Sequence, residues 1–83
     1  MISKDEALAM EAVLVDVRTK EEYEAGHMEG AVNIPYTEIH RQAKLRIPNK
    51  KSPVIVYCST GKRSSQAAKS LLYLGYQKVY RIQ

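Results

Sequence analysis

Apolar residues in this chain occur in two kinds of segment, and the two kinds alternate along the sequence. Short runs with β-branched residues, typical of strands, occupy residues 13–17, 31–35, 54–57 and 78–82. Segments with apolar residues at helical spacing lie at about residues 4–10, 20–25, 37–45 and 64–74. This alternation predicts an α/β sandwich with a mainly parallel central sheet of four to five strands.

Polar residues mark where two of the helices begin. Ser3 and Glu6, and again Thr19 and Glu22, stand three residues apart, which is the spacing of a capping box. The proline-flanked segment 47–53 is predicted to be a polar connector. For the last helix we expect closure by Gly75 and an inward face made of Ala67, Ala68, Leu71 and Leu72.

The only cysteine, Cys58, stands where the strand at 54–57 gives way to the helix at 64–74. A loop that opens a helix directs several backbone N–H groups inward, and the helix adds roughly half a positive charge at its first turn. In open α/β sheets, ligands bind beyond the carboxyl ends of the strands. We therefore predict an anion site in the loop 58–63, where the anion is the cysteine thiolate, a bound oxyanion or both.

Two other polar residues have competing interpretations. Asp16 interrupts a buried strand and therefore needs hydrogen-bond donors. These donors are either the N–H groups of a loop or those of a local turn and Arg18. His27 is either a general base or, in the commoner role, a structural residue that holds a turn through its ring nitrogens.

The overall composition excludes several classes of protein. A chain of 83 residues, 45% hydrophobic and 27% charged, has the size and balance of one globular domain. The net charge of +4 favours anionic partners, but the basic residues are scattered, so no nucleic-acid partner is predicted. One cysteine forbids an internal disulfide, and the two histidines lack metal-ligand spacing, so no metal is expected. Without a signal-like or membrane-spanning run, we expect a cytoplasmic protein with no membrane contact.

Three separated motifs follow one another along the chain. The first is Asp16-Val17-Arg18, the second combines 21–23 with 26–35, and the third combines 54–58 with 61–64. In this order, and over nearly the whole chain, they resemble the motifs of single-domain rhodaneses, a family of sulfurtransferases. The resemblance implies one rhodanese-like domain over residues 1–83, built as a three-layer sandwich.

The same resemblance implies an activity and its partners. It implies that sulfur is transferred through a persulfide on Cys58, with the six-residue loop 58–63 binding the substrate. The donor would be a small sulfur anion such as thiosulfate, and the acceptor would be a thiol or cyanide. No metal or organic cofactor is required, and the Asp16-Val17-Arg18 motif and the segment 26–35 are mainly structural.

The chemistry of the loop supports such an activity on independent grounds. A thiol at a helix mouth beside two cations is expected to have a lowered pKa and to be a thiolate near neutral pH. The thiolate would attack the outer sulfur of thiosulfate and expel sulfite. We expect the substrate to be held by loop N–H groups, hydroxyls and cations, which belong to Ser59, Thr60, Gly61, Lys62, Arg63 and Ser64. The two cations are alternatively no more than solvated charges.

Two alternatives use the same loop. Cysteine phosphatases resemble it, but their arginine is the sixth residue after the cysteine, and here that position is Ser64, with Arg63 one place earlier. Phosphatase activity is therefore not expected. The other alternative is a persulfide carrier or sulfide-responsive domain that depends on a dedicated protein partner. A lone Cys58 has no second thiol with which to form an internal relay.

The end of the sequence departs from the family that it resembles. Family members usually continue past the strand at 79–82 with a glycine pair, an aromatic residue and a closing helix, whereas this sequence stops at Gln83. We expect part of one sheet face to be uncovered. Low stability, a homodimer or a partner domain over this edge would follow.

Overall fold

The computed structural model of the chain describes residues 1–82, and its centre is a four-stranded parallel sheet flanked by helices. The strands are β1 (Val13–Asp16), β2 (Val32–Asn33), β3 (Val54–Tyr57) and β4 (Val79–Arg81), in the spatial order β2-β1-β3-β4. The helices are α1 (Lys4–Ala9), α2 (Lys20–Ala25), α3 (Ile39–Arg46) and α4 (Lys62–Tyr73), with a 3₁₀ turn at Tyr36–Glu38. The predicted α/β class and parallel sheet are confirmed.

The register of the sheet brings several polar residues to one edge. Asp16, the last residue of β1, pairs with Asn33 on one side and with Tyr57 on the other. Parallel strands end at the same edge of a sheet, so these three residues mark the carboxyl edge. Cys58 follows directly after Tyr57 and therefore lies at this edge as well.

The central strand β3 is buried on both of its faces. Val54 and Val56 belong to the main core, and Ile55 between them, whose side chain points the opposite way, is only 1% exposed. The run of consecutive apolar residues in the sequence is the pattern of such a doubly covered strand. The fully buried members of the main core are Val15, Val17, Ile34, Ile39, Ala43, Val54, Val56, Ala67 and Leu71.

The helix ends largely follow their sequence signals. Both capping boxes form, with Ser3 and Glu6 at the start of α1 and Thr19 and Glu22 at the start of α2. At the end of α4, Gly75 has a φ of 100°, a conformation that favours glycine. The predicted helix closure is thus confirmed.

Three details differ from the predictions. Helix α4 begins two residues earlier than expected, because Gly61, with a φ of 85°, occupies the N-cap. Leu72 was expected to face inward but is 55% exposed, since its position on the helix lies one residue beyond the buried Leu71. Ile47, predicted to be part of a polar connector, is 2% exposed and belongs to the core.

The structure also defines where the strands of the sheet end. Strand β2 is shorter than the predicted 31–35, since Pro35 has no N–H for the ladder. Beyond β4, Ile2 forms an isolated parallel bridge with Ile82. Gln83, on which the expectation of a missing closing segment rests, lies outside the described residues. No helix within residues 1–82 has the length and apolar character needed to cross a membrane.

Candidate active site

Cys58 lies between the end of β3 and the first turn of α4, as the sequence predicts. Two backbone N–H groups are directed at its sulfur, from Gly61 at 3.0 Å and from Ser64 at 3.2 Å. The left-handed backbone at Gly61 makes the tight return of the chain possible; a side chain there would be strained by the φ value rather than by crowding. The loop is therefore folded around the sulfur atom.

The environment of Cys58 has opposing effects on its pKa. Partial burial raises the pKa of the thiol, because the charged form loses hydration. The donors that surround the sulfur outweigh this effect and lower the pKa to about 7: the Ser64 hydroxyl, when it turns towards the thiolate, and the N–H groups of Ser64, Thr60 and Gly61. The thiol is thus substantially ionised at neutral pH.

The Ser64 hydroxyl has a choice of two acceptors. In the structure it donates to the Gly61 carbonyl at 3.1 Å. A hydroxyl carries one proton and rotates to suit its surroundings, so Ser64 can donate to the sulfur only by giving up that carbonyl. The buried Ser64 side chain, 1% exposed, is therefore positioned to respond to charge on Cys58.

The two adjacent cations of the loop have different surroundings. Lys62 is exposed, and its ammonium group has no ion-pair partner within residues 1–82. Arg63 binds Glu22 through two hydrogen bonds of 2.7 and 3.1 Å and also donates to Ser59 Oγ at 3.1 Å. The backbone N–H groups of Lys62 and Arg63 have no acceptor in the described part of the chain and can receive an anion.

The loop borders an opening large enough for a small molecule. A recess of about 400 Å³ is lined by Cys58, Ser59, Thr60 and Gly61, together with Met1 and Ile82. The lining thus combines residues of the polar loop with the two apolar residues Met1 and Ile82. No group of three or more His, Cys, Asp or Glu residues suited to a metal ion occurs within residues 1–82.

A buried polar cluster supports the residue that precedes Cys58. Asp16 is fully buried and accepts hydrogen bonds from the Arg18 N–H at 2.9 Å, from the Arg18 guanidinium, and from the Tyr57 hydroxyl at 3.0 Å. The Tyr57 hydroxyl in turn accepts from the Met28 N–H at 3.0 Å. Of the two interpretations of Asp16, pairing with Arg18 and a local turn is correct.

The contacts of the His27 ring are also structural. Its Nδ1 lies 2.8 Å from the Tyr23 carbonyl oxygen, and its ring stacks on the Tyr23 ring with centroids 3.6 Å apart. These contacts hold the turn after α2. They match the structural interpretation of His27 rather than the general base.

Two functional contacts could not be found from the sequence. The sequence identifies Glu22 as a capping residue and as part of a family motif but gives it no partner in the Cys58 loop, and its bond to Arg63 joins positions 41 residues apart. The bond between Tyr57 and Asp16 also spans 41 residues. No local spacing signals such pairs, because they depend on how the helices and strands pack.

Comparison with known protein families identifies the class to which this fold and site belong. A family described as the rhodanese-like domain matches residues 2–83. The chain therefore belongs to the rhodanese-like domain family, as its motifs predicted, and its fold is the rhodanese fold.

Individual relatives agree with this assignment. The chain is 40% identical over 65 residues to thiosulfate sulfurtransferase PspE of Escherichia coli, covering 78% of this chain and 62% of PspE. It is 33% identical to the putative sulfur carrier protein YrkF of Bacillus subtilis, covering 98% of this chain and 40% of YrkF. The chain thus spans less than two thirds of the length of either relative.

Solved structures give the same result. Human single-domain sulfurtransferase TSTD1 has a TM-score of 0.84 at 30% identity, with 98% of this chain and 86% of that chain covered. A rhodanese with anions from Escherichia coli has a TM-score of 0.80 at 37% identity, with 84% and 82% covered.

Proposed function

We propose that this chain is a sulfurtransferase that moves sulfane sulfur from thiosulfate or a related donor to a thiol or cyanide through a persulfide on Cys58. The observation that carries the proposal is the pair of N–H groups from Gly61 and Ser64 that converge on the sulfur at 3.0 and 3.2 Å. Such donors stabilise a thiolate and, after the first transfer, a persulfide. The names of PspE and TSTD1 as sulfurtransferases point in the same direction.

In the first half of the reaction, one sulfur atom is transferred to Cys58. The thiolate attacks the outer sulfur of thiosulfate, a new S–S bond forms, and the donor S–S bond breaks. Sulfite leaves with the electron pair of the broken bond. The free first-turn N–H groups of Lys62 and Arg63, with the Lys62 ammonium, are proposed to hold the sulfonate oxygens of the donor.

The second half returns the enzyme to its starting state. An acceptor thiolate or cyanide attacks the outer sulfur of the persulfide, and the Cys58 thiolate leaves. Because Cys58 is a good leaving group when its pKa is near 7, the same environment assists both steps.

The remaining members of the substrate loop are proposed to be Ser59, Thr60, Gly61 and Ser64. A cytoplasmic location is part of the proposal, since a reducing compartment keeps a lone thiol free.

Intact-mass analysis after thiosulfate treatment tests the proposal. The wild-type chain is expected to gain about 32 Da, one sulfur atom, and to lose it on addition of cyanide with formation of thiocyanate. The Cys58→Ser variant is expected to gain nothing, because it has no sulfur nucleophile. An unmodified wild-type chain after prolonged exposure would contradict the proposal.

A persulfide carrier is the second candidate, and the similarity to YrkF over 98% of the chain favours it. The same experiment separates the two. A stable adduct on Cys58 with negligible thiocyanate formation indicates a carrier that needs a dedicated partner. Repeated turnover with free thiosulfate and cyanide indicates the enzyme.

A further inference from the structure

The side chain of Arg63 connects the Cys58 loop to helix α2. Its Nη1 and Nη2 atoms donate to Glu22 Oε1 and Oε2 at 2.7 and 3.1 Å, and Nη2 also donates to Ser59 Oγ at 3.1 Å. The Arg63 side chain is 22% exposed and that of Glu22 is 37% exposed. Salt screens a partly shielded, two-bond pair of this kind less than an ion pair in open solvent.

The Glu22 carboxylate is held in place by its own helix as well. Its Oε1 accepts from the Thr19 N–H at 3.2 Å and from the Thr19 hydroxyl at 3.0 Å. Hydrogen bonds from Arg63 and, to a smaller extent, from Thr19 lower the pKa of Glu22 to about 2. The carboxylate is therefore charged near neutral pH. A fixed negative charge therefore always accompanies Arg63.

The charged residues next to Arg63 and Glu22 in the sequence have different surroundings from these two. Lys62, next to Arg63, is exposed and lacks an ion-pair partner in the described part of the chain. Glu21, next to Glu22, is exposed and makes no side-chain contact of this kind within residues 1–82. Of the two cations in the loop, only Lys62 therefore keeps its full charge for a ligand.

We propose that Glu22 is a specificity-determining residue of the Cys58 site. By pairing with Arg63 it cancels one of two positive charges at the mouth of the loop. This disfavours doubly charged donors such as thiosulfate relative to sulfane-sulfur donors of lower charge, such as an organic persulfide. Glu22 acts through Arg63 and is a positioning residue rather than a catalytic one. As far as it concerns sulfur donors, the inference rests on the proposed function.

Alkylation of Cys58 tests the charge effect without any sulfur transfer. Iodoacetate is an anion and iodoacetamide is neutral, and both react with the same thiolate. The ratio of their rates therefore cancels the ionised fraction and reports the electrostatic potential at the sulfur. Glu22→Gln is expected to raise the iodoacetate to iodoacetamide ratio roughly two- to fivefold, the size of a single partly screened charge. An amide oxygen at this position can still accept a hydrogen bond from Arg63.

Matched variants show whether the effect belongs to the pair. Glu21→Gln changes the net charge by the same amount and is expected to leave the ratio near the wild-type value. Arg63→Gln is expected to lower the ratio, because the Glu22 charge is then uncompensated. For the double variant that combines Glu22→Gln with Arg63→Gln, the ratio is expected to be close to the wild-type value. Removing both members of the ion pair leaves the net charge beside Cys58 unchanged.

Two results would overturn the inference. One is a ratio for Glu22→Gln that equals the ratio for Glu21→Gln. The other is an equal loss of both alkylation rates, which would make Glu22 merely structural. For thiosulfate turnover, Glu22→Gln is expected to lower KM by a similar factor with little change in kcat. If the wild-type chain forms no persulfide with thiosulfate, the proposed function fails, and the alkylation ratio still decides the role of Glu22.

Discussion

At the scale of single residues, Cys58 shows how burial and hydrogen bonding compete at one atom. Burial alone would keep the thiol protonated, and only the donors from Ser64, Thr60 and Gly61 bring its pKa down to about 7. The adjacent cations are not the main cause. The sequence predicts a lowered pKa both from the helix mouth and from Lys62 and Arg63, whereas in the structure the hydrogen-bond donors of the loop are the main cause.

The pH dependence of Cys58 alkylation follows from this balance. The thiolate is the reactive form, so the rate with iodoacetamide is expected to rise with pH through a midpoint of about 7. In Ser64→Ala the midpoint is expected to move upward, because the hydroxyl that can turn from the Gly61 carbonyl to the thiolate is lost. Ser65→Ala is the matched control, since no side-chain hydrogen bond of Ser65 occurs within residues 1–82. An unchanged midpoint in Ser64→Ala would show that the backbone N–H groups alone set the pKa.

At the scale of elements, the carboxyl edge of β1 and β3 is held together by one polar cluster. The Tyr57 hydroxyl donates to the buried Asp16 carboxylate and accepts from the Met28 N–H. This ties the strand before Cys58 to the strand beside it and to the loop after α2. The position of the sulfur is thus supported from two directions.

Removing the Tyr57 hydroxyl is expected to weaken this support. Tyr57→Phe removes the hydroxyl that donates to Asp16 and accepts from the Met28 N–H. Loss of these two partly buried hydrogen bonds is expected to lower the unfolding free energy by about 1–3 kcal/mol. Tyr80→Phe removes a hydroxyl from β4 that has no hydrogen bond within residues 1–82, and its effect is expected to stay within about 0.5 kcal/mol. Urea unfolding of both variants measures the difference. Equal losses in the two would contradict the role given to Tyr57.

The limits of sequence-based prediction also become visible at this scale. The capping boxes at Ser3 and Thr19 were predicted because a cap is decided by residues three positions apart. The location of Cys58 was predicted because a parallel sheet brings all strand ends to one edge. The partner of Arg63 was not, since it depends on where α2 lies relative to α4. Leu72 was assigned to the wrong face because adjacent leucines near the edge of an apolar stripe differ little in pattern.

At the scale of the whole molecule, the chain is small, and much depends on each buried side chain. A domain of this size buries only about 60% of the surface of its unfolded chain, so its stability is expected near the low end of the usual range of about 5–15 kcal/mol. The core is formed mainly by side chains from the sheet and from helices α3 and α4, together with residues of the adjoining segments such as Ile47. Loss of packing between α4 and the sheet would therefore affect the entire fold.

Leu71 and Leu72 allow this dependence to be measured with adjacent, chemically identical residues. Leu71 is fully buried and Leu72 is 55% exposed. Leu71→Ala is expected to lower the unfolding free energy by about 2–5 kcal/mol through lost burial and a cavity. Leu72→Ala, with the same change in helix propensity, is expected to stay within about 0.5 kcal/mol. Denaturant unfolding followed by circular dichroism measures both, and equal losses would mean that α4 packs in a different rotation. Because α4 also carries the Ser64 N–H to Cys58, Leu71→Ala should reduce the folded fraction while molecules that remain folded keep the alkylation midpoint.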